Sequence, residues 1–129
     1  MGTEEKKRTI LVMDDEDMIG EIICQMLEHF GFDSVRVADG VDAILKFKKH
    51  YDDGVPFAAV ILDLNIPNGM GGREAIVEIL AIDREAKVFV SSGSSNDPVV
   101  VNFKAHGFSG VIAKPFDLAS MQRTLAPLL

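Results

Sequence analysis

Asp14 and Asp15 follow the apolar run Thr9–Met13, Asp63 follows Phe57–Leu62, Ser92 follows Lys87–Ser91, and Lys114 follows Gly110–Ala113. As ends of neighbouring strands, these runs bring three carboxylates, a hydroxyl and an ammonium to one edge. Close carboxylates repel and resist ionisation unless positive charge lies among them, and one lysine is too little for three. An all-oxygen site with several carboxylates, and room for water and a phosphate oxygen, suits Mg²⁺ (or Mn²⁺). Such a site binds or transfers a phosphoryl group. Asp63 is the candidate nucleophile because it ends the most apolar run, FAAVIL. A carboxylate there attacks phosphorus to give an aspartyl phosphate, with Ser92 and Lys114 each contacting a remaining oxygen.

The segments between these runs have helical period. Met18, Ile19, Ile22, Ile23, Met26, Leu27 and Phe30 recur at helix spacing and end at Gly31, a natural stop. Ser34–Val37 is short and less apolar, as an edge strand is. Val41, Ala43, Ile44, Leu45 and Phe47 mark a second helix ending in Lys48-Lys49-His50. A turn-rich loop, 65–72, leads to a third helix over Glu74–Asp83. Asp97 caps a fourth helix with Pro98 at its first position, running to His106 and stopping at Gly107. Asp117 caps a fifth, with Leu118, Met121, Leu125 and Leu128 on one face. Five β–α units in series predict an α/β fold: a doubly wound, five-stranded parallel sheet with right-handed crossovers. Its ligands bind beyond the carboxyl ends of the strands.

Composition narrows the function classes. The 129 residues are the size of one domain, and 47% hydrophobic with 26% charged residues is a globular balance. A net charge of −7 argues against a nucleic-acid partner, which needs a basic face. No run of about 18 apolar residues occurs, so no membrane span is expected. Cys24 stands alone, so no disulfide framework exists and a reducing, cytoplasmic setting is expected. Residues 1–8 read as a charged tail without a signal-peptide core, and 9–129 as the domain. His29, His50 and His106 each fall near a helix C-terminus, without metal-ligand spacing. Val99, Val100, Val101 and Phe103 are more apolar residues than one buried face of the fourth helix requires.

With these marks in place, the sequence resembles receiver domains of the two-component response-regulator family over about residues 9–128. The resemblance rests on Asp14-Asp15, on Asp63-Leu64-Asn65-Ile66-Pro67 with Gly69 and Gly71, on Ser92-Gly93, and on Lys114-Pro115-Phe116. Asp63 and Ser92 lie 29 positions apart and Ser92 and Lys114 lie 22 apart, the usual receiver spacings. Residues 107–116 (GFSGVIAKPF) are similar to receivers attached to hybrid sensor kinases. The resemblance implies the flavodoxin-like strand order 2-1-3-4-5. It implies a switch in a phosphorelay, phosphorylated on Asp63 by a phosphohistidine of a sensor histidine kinase or phosphotransfer domain. Asp15 would bind Mg²⁺ directly, Asp14 mainly through water, and the Asn65 backbone carbonyl would be a further ligand. Lys114 would pair with the phosphoryl group, Ser92 would move in to hydrogen-bond it, and Lys114-Pro115 would be cis. A downstream protein would read the face of the fourth helix, fifth strand and fifth helix. Val111 departs from the pattern, since receivers often carry Tyr or Phe three residues before the lysine, so the usual serine–aromatic switching cannot operate.

Two other readings compete. A phosphohydrolase of the haloacid-dehalogenase type also uses an Asp nucleophile and Mg²⁺, but it places an Asp two positions later, where this chain has Asn65. A phosphorylation-independent binding module has no need of Asp14, Asp15, Asp63, Ser92 and Lys114 together. The expectation is therefore a switch that turns over no separate substrate and is not an enzyme.

Overall fold

Alternating burial organises the chain into three layers, seen in a computed structural model that describes residues 8–129. The elements run β1 (Thr9–Met13), α1 (Asp17–His29), β2 (Asp33–Val37), α2 (Gly40–Asp52), β3 (Ala59–Asp63), α3 (Gly72–Ile82) and β4 (Val88–Ser92). They continue with α4 (Pro98–Val101), a 3₁₀ turn over Phe103–His106, β5 (Gly110–Ala113), α5 (Leu118–Leu125) and a 3₁₀ turn over Ala126–Leu128. The strands form one parallel sheet in the order β2-β1-β3-β4-β5, as expected. Of the charged tail expected over residues 1–8, residues 1–7 lie outside the described residues.

Successive strand residues point to opposite faces, so each strand feeds two cores. Leu11, Met13, Val60 and Leu62 enter one core with Phe47 of α2 and Ile76 and Ile79 of α3. Ile10, Val12 and Ile61 enter the other with Ile23 and Leu27 of α1 and Met121 and Leu125 of α5. β3 and β4 are buried along their whole length, which explains their near-continuous apolar sequence. Met18 and Ile22 remain exposed, because the apolar arc of α1 is wider than the strip the sheet covers.

The element boundaries differ from the sequence expectations in instructive places. Asp63 and Ser92 are the last residues of β3 and β4 rather than the first beyond them. β3 begins at Ala59, not Phe57. α3 begins at Gly72 rather than Glu74 and ends at Ile82. The helix expected from Pro98 to His106 breaks after one turn, where Asn102 takes φ −112° and ψ 41°. Three consecutive β-branched valines give that turn little helical preference of its own. Gly107, at φ 93°, ends the 3₁₀ turn as the stop glycine the sequence indicated. Leu118 is exposed although Met121 and Leu125 of the same stripe are buried.

Candidate functional site

The site is built by register. Met13 pairs with Leu62, so Asp14 and Asp63 stand level at the carboxyl edge of the sheet. Ser92 pairs with Ala113, and Lys114 follows with its N–H donated to the Ser92 carbonyl at 3.0 Å. Carboxylate oxygens of Asp14, Asp15 and Asp63 lie within 4.8 Å of one another. The Lys114 ammonium reaches Asp63 Oδ2 at 3.2 Å and Asp14 Oδ2 at 3.4 Å. The Lys114-Pro115 bond is cis, as the resemblance implied.

Burial sets the electrostatics. Asp14 is fully buried, Asp63 is 7% exposed, and Asp15 is at the surface. Burial pushes the Asp63 carboxyl above its ordinary pKa; Lys114 pulls it back without cancelling the effect, and Asp14 adds to the rise. For Lys114, burial alone lowers the pKa, but Asp63 and Asp14 outweigh it and the ammonium is held above its usual value. Asp14 Oδ2 is buried and makes no hydrogen bond, its one contact of opposite charge being the 3.4 Å ion pair with Lys114. That buried oxygen, satisfied only by a long ion pair in a donor set of three carboxylates against one ammonium, fits a hard divalent cation such as Mg²⁺ or Mn²⁺.

Local structure fixes the remaining groups. The Asn65 N–H lies 3.4 Å from Asp63 Oδ1, at the long limit of a hydrogen bond. The loop carrying Asn65 folds tightly against α3, because a Cβ on Gly71 would sit 2.5 Å from the Leu64 carbonyl. Ser92 is buried, and its hydroxyl bonds with the Ser94 backbone rather than with Asp63. Val111 is half-buried against the larger core, and its carbonyl accepts from Thr124 Oγ1 at 3.3 Å. No helix among the described residues is long and apolar enough to cross a membrane.

Two features escaped the sequence reading. Arg36 of β2 donates to the Asp14 carbonyl at 2.9 Å. Arg73 of α3 pairs at 3.2 Å with Asp97, whose other oxygen caps α4 through the Val99 N–H. The available signals were an arginine inside a strand run and an acidic cap with a basic residue on the preceding helix. Neither indicates its partner.

The family described as the response regulator receiver domain matches residues 10–126. The chemotaxis protein CheY of Treponema pallidum is 31% identical over 121 residues, covering 93% of this chain and 81% of that protein. Among solved structures, the receiver domain of a sensor histidine kinase from Pseudomonas aeruginosa PAO1, with magnesium coordinated in its active site cleft, superposes with a TM-score of 0.81. It is 25% identical and covers 95% of this chain and 97% of that one. CheY in the CheX–CheY–BeF₃–Mg²⁺ complex of Borrelia burgdorferi gives a TM-score of 0.82 at 27% identity, over 95% of this chain and 90% of that one.

Proposed function

The chain belongs to the response regulator receiver domain family, and on that premise we propose that it is a phosphoacceptor switch of a two-component phosphorelay. Asp63 accepts the phosphoryl group from a phosphohistidine of a sensor histidine kinase or phosphotransfer domain. The observation that carries this reading is the juxtaposition of buried Asp63 with the Asp14 and Asp15 carboxylates and the Lys114 ammonium.

Asp63 is held for attack at the end of a rigid, buried strand. One of its oxygens forms a bond to phosphorus as the P–N bond of the phosphoimidazole breaks. The imidazole nitrogen keeps the bonding pair and is protonated from solvent. Lys114, already beside Asp63 Oδ2, pairs with a phosphoryl oxygen, and Ser92 turns from Ser94 to hydrogen-bond another. Asp15, Asp14 through water, Asp63 and the Asn65 carbonyl are the residues to hold Mg²⁺ (or Mn²⁺), which when bound neutralises charge on the phosphoryl oxygens. The magnesium in the Pseudomonas receiver and in the Borrelia complex supports this assignment.

The phosphorylated state differs in what α4, β5 and α5 present, and a downstream protein reads that population shift. With Val111 in place of a bulky aromatic, the shift does not run through an inward swing of a ring at that position. The protein turns over no separate substrate, so it is a switch rather than an enzyme, and it acts in the cytoplasm on protein partners rather than on nucleic acid.

Intact mass after incubation with Mg²⁺ and acetyl phosphate tests the reading. One phosphoryl increment that requires Mg²⁺ and is absent in Asp63→Asn is the expected result. An unmodified mass with steady phosphate release points instead to a hydrolase. Neither modification nor release points to a binding module, and a modified Asp63→Asn means another acceptor.

A further inference from the structure

A charged residue within an edge strand is ordinarily solvated. Arg36 is not, for its side chain is only 28% exposed and lies against α1. Its Nη2 donates to the Asp14 carbonyl at 2.9 Å and lies 2.8 Å from Asp17 Oδ1, so one nitrogen bridges the strand end and the first turn of α1. Its Nε is buried with no hydrogen-bond partner. The chain makes room for this seat: a Cβ on Gly20 would lie 2.2 Å from Arg36 Nε and 2.5 Å from Cδ. Glycine inside a helix and an unpaired buried donor both cost stability, so the arrangement is an expensive way merely to hold an edge strand.

We propose that Arg36, seated on Gly20, is a positioning residue for the acidic pair, holding the Asp14–Asp15 peptide so that both carboxylates are aimed at the divalent cation. The carbonyl that Arg36 holds belongs to the planar peptide joining Asp14 to Asp15. Fixing it restricts ψ of Asp14 and φ of Asp15, the torsions that direct the two side chains. The rest of Asp14 is pinned as well, by its N–H to the Val37 carbonyl at 3.1 Å and by Glu16 N–H to Oδ1 at 2.9 Å. Asp15 is exposed, so its aim depends on the backbone that carries it.

The inference rests on the reading of this cluster as a metal site, and its sign separates it from simple charge. A cation near a metal repels it, so removing the guanidinium tightens metal binding on electrostatic grounds alone. A positioning role demands the opposite.

Binding of Mn²⁺, followed by loss of the free-ion electron paramagnetic resonance signal and read below the melting transition, decides between them. Asp15→Asn should abolish binding. Arg36→Met should raise Kd by about tenfold, the usual scale for an outer partner of a metal ligand. Gly20→Ala, which keeps the arginine but blocks its seat, should weaken binding by a similar factor, and Arg36→Lys should recover most of the loss. Unchanged or tighter binding in Arg36→Met, with Asp15→Asn still inactive, overturns the positioning role and leaves the metal site standing. Should Arg36→Met not fold, unchanged binding in Gly20→Ala has the same force. No Mn²⁺ uptake by the wild-type chain overturns both readings.

Discussion

The Ser92 hydroxyl accepts from the Ser94 N–H at 3.1 Å and donates to the Ser94 carbonyl at 3.3 Å, so its one donor is used within its own turn. To donate to a phosphoryl oxygen on Asp63 it must give up the bond to the Ser94 carbonyl. The gain is one charge-assisted hydrogen bond, and the loss is one long neutral one. Ser92→Ala should therefore still be phosphorylated on Asp63, with the phosphorylated fraction at fixed acetyl phosphate reduced by about tenfold, an effect on the order of 1.4 kcal/mol. Intact mass measures it, and an unaltered fraction would leave Ser92 outside the reaction.

Asp63 carries its charge in a buried place, and its raised pKa has a definite consequence for stability. Between the unfolded and the raised folded pKa, the folded state binds more proton, so stability from this group grows as pH falls through the folded value. Asp63→Asn removes the buried charge and should raise the melting temperature in metal-free buffer near pH 7, by about 1 kcal/mol or roughly 3–5 °C. The difference from wild type should shrink as pH is lowered toward 4. A gap that widens on acidification would mean Asp63 is stabilised, not penalised, by its surroundings.

Lys114 has two roles that pull in opposite directions. Its ammonium neutralises part of the acidic cluster and so competes with a metal, yet it also stands where a phosphoryl oxygen would be met. Lys114→Met should bind Mn²⁺ about fivefold more tightly, on the order of 1 kcal/mol for one partly solvated charge. The same variant should be phosphorylated at least tenfold more slowly. Titration and mass spectrometry on one preparation test both halves, and a joint loss would show that the lysine organises the site rather than merely charging it.

Val99 and Val101 share a single helical turn but not an environment: Val99 is 2% exposed and Val101 is 63% exposed. Val99→Ala should cost about 2 kcal/mol in denaturant unfolding, from two lost methyls and the cavity they leave. Val101→Lys should stay within about 0.5 kcal/mol of wild type. Equal effects at both positions would mean α4 is wound differently. If the face that includes α4 meets a downstream protein, Val101→Lys is also the change that should weaken that contact without unfolding the chain.

Much of this protein is written along the chain. Strands buried on both faces have to be apolar throughout, and amphipathic helices have to repeat near every fourth residue, so the alternation of FAAVIL-like runs with helical stretches was legible directly. Stop glycines and the caps Asp97 and Asp117 act on their own neighbours, and they too were legible. Asp14, Asp15, Asp63, Ser92 and Lys114 stood out because each closes a strand, and parallel strands bring their carboxyl ends to one edge.

What the chain could not announce was which distant groups would meet. The breadth of apolar sequence in α1 gave no hint that Met18 and Ile22 stay outside, since coverage depends on where the sheet ends. α4 looked continuous because its cap and its stop are local, while its break at Asn102 arises where three valines must reconcile packing with a weak helical preference. Arg36 carries no local mark of its purpose. Its seat exists only because β2 pairs beside β1 in one register, which brings residue 36 over Gly20 and within reach of the Asp14 carbonyl. Periodicity and capping act between near neighbours and are fixed by sequence alone; register, burial and the opposition of charges from separate strands act through space, and only the folded sheet decides them.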